Sequence, residues 1–137
     1  MVLIYYSHQI LEDQTAGGCF DAGILEISTD NGVTFTQVPG TAMQTDPYNG
    51  AISTQWSNPL AGASGWCEDP ATTAPPVWTQ SVVDLNAFAG QSVRLRFRVA
   101  TDSSLGRVPH GFYLDDVKVQ SCWIDGLSEA IFSHGFE

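Results

Sequence analysis

Val93, Leu95, Phe97 and Val99 alternate with Arg94, Arg96 and Arg98. Apolar residues at every second position, with charges between them, fit a strand that buries one face; on a helix the same spacing would scatter them around the axis. The period continues through Gly111–Gln120, where Tyr113, Asp115, Val117 and Val119 share one face and Phe112, Leu114, Asp116 and Lys118 the other. Val2–Ile10 and residues 23–28, 33–38 and 78–85 supply further strands, rich in β-branched and aromatic residues. Thr29-Asp30-Asn31-Gly32 separates two of them with residues that tolerate positive φ, the requirement of a tight hairpin. Residues 86–90 (Asn-Ala-Phe-Ala-Gly) are the sole helix-like piece. Residues 39–76, rich in Pro, Gly, Thr and Ser, read as long loops with a short strand near 52–56. The expected fold is all-β, an antiparallel two-sheet sandwich or jelly roll.

The length of 137 residues fits one domain with a hydrophobic core of its own. Apolar residues at 43% and charged residues at 15% describe a globular chain with a lightly charged surface. Fifteen acidic residues against five basic ones give a net charge of −10, and no Lys or Arg precedes Arg94. Nucleic acid is excluded as a partner, because displacing counterions from phosphate needs basic residues. An anionic membrane surface is excluded on the same ground, and no apolar run is long enough for a membrane span. The first residues lack the basic region and cleavage site of a signal peptide; they read as a strand that begins at once, as in a piece cut from a longer chain. Sparse Lys with abundant Thr, Ser, Gly and Asn points to a secreted, extracellular protein. Three cysteines, Cys19, Cys67 and Cys122, permit three single pairings and leave one thiol over.

Signatures of catalysis are missing. There is no His-Glu-x-x-His, no Gly-x-Ser-x-Gly and no phosphate-cradling glycine loop. His8, His110 and His134 lie at no metal-ligand spacing from one another or from a cysteine. Nothing local singles out a carboxylate pair for glycoside hydrolysis. Ser28-Thr29-Asp30-Asn31-Gly32-Val33-Thr34-Phe35 is similar to the Asp-box hairpin of sialidase-like propellers. With one copy in a chain too short for the blades, Asp30 is read as a turn residue.

Three stretches carry a broader resemblance. They are Phe20-Asp21-Ala22-Gly23-Ile24-Leu25-Glu26-Ile27-Ser28-Thr29-Asp30, the run from Val83-Asp84-Leu85 through Phe88-Ala89-Gly90 to Leu95-Arg96-Phe97-Arg98, and Gly111-Phe112-Tyr113-Leu114-Asp115-Asp116-Val117. In this order they resemble the MAM-like jelly-roll domains appended to secreted bacterial proteins, including immune-inhibitor-A-type metallopeptidases. Ala22 and Phe35 depart from the usual Gly and Trp. The resemblance implies a jelly-roll module over residues 1–122 lacking an N-terminal strand of the full domain. Residues 123–137 are then a tail or the start of a following segment. A missing strand would leave an unpaired sheet edge, which invites a homodimer. The implied role is that of a non-catalytic accessory module, recognising a glycan or protein surface or packing beside an adjacent catalytic domain.

Asp115 shares its face with Tyr113, Val117 and Val119; if that face is the core, a carboxylate is buried there and needs compensation. Ca²⁺ bound by hard oxygens is one answer and hydrogen bonds or an arginine are the other. The resemblance implies a structural Ca²⁺ held by Asp115, with Glu12 and Asp21, and with Asp116 as a further ligand. Of the aromatic residues, Trp78 is assigned to the core as a strand residue, while Trp56, Trp66 and Tyr48 in the long loops are candidates for stacking on sugar rings. Two alternatives accompany the accessory-module reading: a carbohydrate-binding module using those loop aromatics, and a fragment of a glycosidase or sialidase-like enzyme.

Overall fold

The structure is a computed structural model that describes residues 1–11, 18–67, 78–103 and 111–121. Its strands are β1 (Val2–Ile10), β2 (Ala22–Ser28), β3 (Thr36–Gln37), β4 (Gly50–Ala51), β5 (Ser64–Cys67), β6 (Thr79–Asp84), β7 (Arg94–Ala100) and β8 (Gly111–Gln120). All strand pairings are antiparallel. One sheet has the order β6-β1-β8; in the other, β2 is flanked by β7 on one side and by β3 and β5 on the other, with β4 beyond β5. The two sheets pack face to face, so the all-β antiparallel sandwich read from the alternating runs is the observed architecture.

The core between the sheets follows from the alternation. Leu3 and Tyr5 of β1, Val83 of β6, and Leu25 and Ile27 of β2 form one buried cluster with Val38, Met43, Trp66 and Leu85. Leu95 and Phe97 of β7 and Phe112 and Leu114 of β8 pack against its margin. Strand β2 departs from the half-buried pattern, for all seven of its residues are buried. Ala22 and Ile24, on the face away from the first sheet, belong to a second cluster with Ile52, Leu60, Cys67 and Ala100. The segment read as a loop therefore roofs the outer face of β2. Asn58, buried within it, ties the roof down by donating to the carbonyls of Phe20 and Ala100 and accepting the Leu60 N–H. A disulfide joins Cys19 to Cys67, settling the pairing for these two cysteines; Cys122 lies outside the described residues.

Three local assignments change. The strand expected over 33–38 is reduced to Thr36–Gln37, because the turn begun at Asp30 continues to Thr34. Strand β5 lies inside the segment read as loop, and the short strand expected near 52–56 is instead Gly50–Ala51 with an isolated bridge at Ile52. The third change decides the fate of Asp115. The register of β8 on β1 slips between Ile4, which pairs with Lys118, and Tyr6, which pairs with Asp115. A bulge at Asp116, with φ of 51°, absorbs the extra residue. Asp residues enter this left-handed conformation more readily than most, and here the Asp115 carboxylate accepts the Asp116 N–H at 2.7 Å. Tyr113 and Asp115 thus face outward, whereas Val117 and Val119 fall on the opposite side of the strand, where they stay 51% and 52% exposed. The strict alternation expected across Gly111–Gln120 is broken at its midpoint. Among the described residues β8 pairs only with β1, and its free edge carries this bulge with Asp116 and Lys118, features that oppose edge-to-edge pairing.

On β2, Glu26 lies just past the end of the roof and is only 5% exposed. Arg96, its partner in register, donates from Nε at 2.6 Å, and Arg98 approaches at 3.6 Å. The Arg96 guanidinium also covers the Phe35 ring at 3.9 Å. The pair is asymmetric, because the carboxylate is buried and both guanidiniums are more than a third exposed. Removing the base strands a buried charge, while removing the acid leaves cations that water can solvate. Arg96→Met is therefore expected to cost about 2–3 kcal/mol and Glu26→Gln about 1 kcal/mol. Urea unfolding of the two variants checks the order; a larger loss for Glu26→Gln would contradict the asymmetry.

Candidate recognition face

The outer faces of the two sheets differ. That of β2 is roofed, whereas among the described residues none on the outer face of the β6-β1-β8 sheet joins either hydrophobic cluster. On β1 the even positions point this way. His8 pairs with Tyr113 of β8 on one side and, continuing the register in which Ser7 pairs with Thr79, faces Trp78 on the other. The His8 ring lies 5.9 Å from that of Tyr113 and 6.0 Å from that of Trp78, so the three rings form a row across the sheet. His8 is buried, while Trp78 and Tyr113 remain 43% and 45% exposed. The assignment of Trp78 to the core is corrected: strand membership alone did not say which face it takes.

The posture of Tyr113 has a local cause. A Cβ built on Gly111, two residues earlier on the same face, would stand 3.0 Å from three atoms of the Tyr113 side chain. The phenol therefore lies back along its own strand over a residue with no side chain, and its plane is within 21° of the His8 ring. One step along β1, Tyr6 pairs with Gln80 and Asp115, and the Gln80 amide donates to the Tyr6 hydroxyl at 2.9 Å. A row of rings thus borders a row of polar groups.

The other stacking candidates lie elsewhere. Trp66 is in β5 and 1% exposed, with its indole N–H donating to the Asp46 carbonyl at 2.9 Å and its ring edge-on to Tyr48 and Tyr5. Tyr48 is half-buried; its hydroxyl accepts the Leu25 N–H and lies 3.0 Å from the Val38 carbonyl, and burial pushes its phenol pKa up. Both are structural, and the reading of Trp66 and Tyr48 as ligand platforms is corrected: the apparent loop folds inward. Trp56 is 58% exposed, in a left-handed turn on the roof.

Of the proposed metal ligands, Glu12 lies outside the described residues. Asp115 and Asp116 are exposed, and Asp116 meets Lys118 at 3.9 Å. Asp21 is the buried one. It precedes β2 in the other sheet, and its carboxylate accepts the Asp102 N–H at 2.8 Å just beyond the paired end of β7. Asp115 faces outward from β8, whereas Asp21 is buried before β2 in the other sheet. The described residues hold no group of three His, Cys, Asp or Glu suited to a metal ion. Asp102 was missed because no motif marks it; only the pairing of β2 with β7 brings it to Asp21.

Asp30 is a turn residue, as the sequence indicates. Its carboxylate accepts the Thr34 hydroxyl at 2.6 Å, the Thr34 N–H at 2.9 Å and the Ser28 hydroxyl at 2.7 Å, while Asn31 and Gly32 take positive φ. His110, His134 and Trp123 lie outside the described residues. No helix among the described residues is long and apolar enough to cross a membrane. No family model, curated protein or solved structure matches the chain.

The Asp30 network has a pH signature. Hydrogen bonds from the Thr34 side chain, then its backbone and Ser28, hold this carboxyl well below its ordinary value. A depressed pKa gives stability that is present above the unfolded value and lost on acidification. The melting temperature of Asp30→Ala is expected to lie below wild type at neutral pH, with the gap narrowing as pH falls below 3.8. A gap that widens on acidification would overturn this account.

Proposed function

We propose that this chain is a non-catalytic recognition module of a secreted bacterial protein, of the MAM-like jelly-roll kind, whose binding surface is the outer face of the β6-β1-β8 sheet. One observation carries the reading: Trp78 and Tyr113 flank His8 in a row and stay nearly half exposed on a face that neither hydrophobic cluster covers. Large aromatics that stay partly exposed beside one another on a sheet face are of the kind that marks interaction surfaces. The Cys19–Cys67 disulfide agrees with an oxidising, extracellular setting. The partner is a glycan or protein surface, or an adjacent catalytic domain of the same protein.

Adsorption measures this directly. The protein is incubated with cellulose, chitin, peptidoglycan and insoluble collagen, and the unbound fraction is read. A double variant with Trp78→Ala and Tyr113→Ala is expected to lose the retention shown by wild type, while Trp56→Ala keeps it. Equal retention by the double variant would place binding elsewhere. Hydrolysis of any of these polymers by the purified protein would refute the non-catalytic reading.

Calcium belongs to the proposal in a changed form. The physical reason for invoking it is a buried carboxylate, and the buried one is Asp21. With Glu12, which lies outside the described residues, it would hold Ca²⁺ through carboxylate oxygens. An ion that binds only the folded chain adds about 2.7 kcal/mol at a hundredfold excess over Kd. Chelation should lower the melting temperature by several degrees in wild type and Asp115→Asn, and not in Asp21→Asn. An unmoved wild-type curve would remove calcium from the proposal.

A further inference from the structure

We infer that the free edge of β7 takes up an extended peptide strand whose residues alternate between acidic and apolar, adding it to the second sheet by main-chain pairing. This edge belongs to the sheet of β2 and does not involve the aromatic row. Among the described residues β7 pairs only with β2, and that register runs unbroken from Ala22 opposite Ala100 to Ser28 opposite Arg94. In a strand every second residue turns its N–H and C=O away from a given neighbour, so β7 offers a regular row of these groups along its other side. The free edge of β8 differs, because the bulge at Asp116 interrupts it.

The outer face of this edge is cationic. Arg94, Arg96 and Arg98, three of the chain's five basic residues, take successive outward positions on β7. Glu26 is buried beside them; it accepts from Arg96 Nε at 2.6 Å and lies 3.6 Å from Arg98. Among the described residues no other carboxylate forms an ion pair with the three, so the strip keeps a local surplus of positive charge in a chain of net charge −10. Phe35 lies against the Arg96 guanidinium, and Arg94 runs beside Gly32, where a Cβ would stand 3.2 Å from its Cδ. Arg96 and Arg98 remain 44% and 41% exposed. Guanidiniums steadied by such neighbours lose little freedom on meeting a carboxylate, with which they form paired hydrogen bonds.

The inner face of the same strand is incompletely covered. Leu95 and Phe97 reach only the margin of the core, and Val99 is 42% exposed. Phe97 meets Phe112 of β8 at 6.2 Å, so the edge strands of the two sheets lie over one another on this side of the sandwich. A strand added to β7 places its side chains alternately on the two faces. Those on the outer face fall opposite the arginines, and those on the inner face extend the apolar layer past Phe97 and Val99. Both strands repeat every two residues at about 6.8 Å, so carboxylates at alternate positions keep step with Arg94, Arg96 and Arg98. A second copy of β7 fits poorly, because pairing two such edges sets arginine against arginine. A polyanion without a peptide backbone answers the charge and leaves the main-chain groups and the inner face unmet.

Fluorescence anisotropy with labelled peptides tests this on the unmodified protein. The probe is a heptapeptide alternating Glu and Val. The contrasts are a peptide of the same composition with its Glu residues in one block, a heptapeptide alternating Lys and Val, and heparin. The Glu–Val peptide should bind, more weakly as salt is added, and at least tenfold more tightly than either peptide contrast. On binding, hydrogen exchange should slow at alternate amides of residues 94–99, those that face away from β2. Arg94→Glu combined with Arg98→Gln should weaken binding tenfold or more, whereas Trp78→Ala with Tyr113→Ala should leave it unchanged. Circular dichroism confirms that both double variants are folded. Failure of the Glu–Val peptide to bind would overturn the inference, leaving the arginines the sole task of keeping this edge unpaired. Equal affinity for the block peptide, or unchanged exchange at the β7 amides, would reduce the strip to a general anion site and overturn it as well. Tighter binding of heparin than of the Glu–Val peptide would assign the strip to acidic polysaccharide instead.

Discussion

Strand β2 has no solvated face, and most of the molecule answers to that constraint. A strand buried on one side needs only a facing sheet, whereas a strand buried on both needs a third layer. The first sheet covers Leu25 and Ile27; the chain between β4 and β5 folds back over Ala22 and Ile24. That segment has little regular structure of its own, so its placement relies on specific ties. Asn58 satisfies two carbonyls at the ends of β2 and β7, and Cys67 is bonded to Cys19 across a separation of 48 residues. In a chain-entropy account, closing a loop of that length removes about 4 kcal/mol worth of unfolded-state freedom. Where the roof stops, Glu26 is compensated by Arg96 and Arg98, so the same strand changes from apolar to ionic cover within two residues.

The alternating runs made the sandwich legible. In β1, and in β7 as far as Phe97, the inward residues are the ones the period selects, whereas Val99 is left 42% exposed; Asp30 is the turn residue its neighbours imply. Three things escaped a one-dimensional reading, each for a physical reason. The bulge at Asp116 leaves no gap in the pattern, because Asp115-Asp116 can be counted in either phase; only the register on β1 shows that the phase changes. Trp66 and Tyr48 sit among Pro, Gly and Ser, a composition that marks irregular backbone and says nothing about burial. Trp78 lies at the start of a recognisable strand, but its face follows from pairing with β1, and pairing partners far apart in sequence leave no local trace.

The aromatic row is invisible in the sequence for the same reason. His8 and Tyr113 come from β1 and β8 and Trp78 directly precedes β6, so their juxtaposition follows from the register of the three strands. Each had a plausible separate explanation: a scattered histidine, a core tryptophan, a strand tyrosine.

The contrast between the two outer faces bears on how such a surface would work. A roof rich in irregular backbone stabilises β2 but offers no flat, ordered plane; Trp56 on that roof sits at a left-handed turn. The β6-β1-β8 sheet has its central strand anchored from beneath by Leu3 and Tyr5, both fully buried, so the residues on its upper side are carried by a backbone that cannot easily adjust. Rings fixed in this way lose little conformational freedom when a ligand is laid on them, and that saving favours binding by contacts that are individually weak. Gly111 adds to the same effect. By leaving space for the Tyr113 ring along the strand, it sets the ring's attitude before any ligand arrives. The sandwich core and the aromatic row are therefore opposite sides of one alternation along β1, and the side chains that bury Leu3 and Tyr5 also fix where His8 and Tyr6 must point.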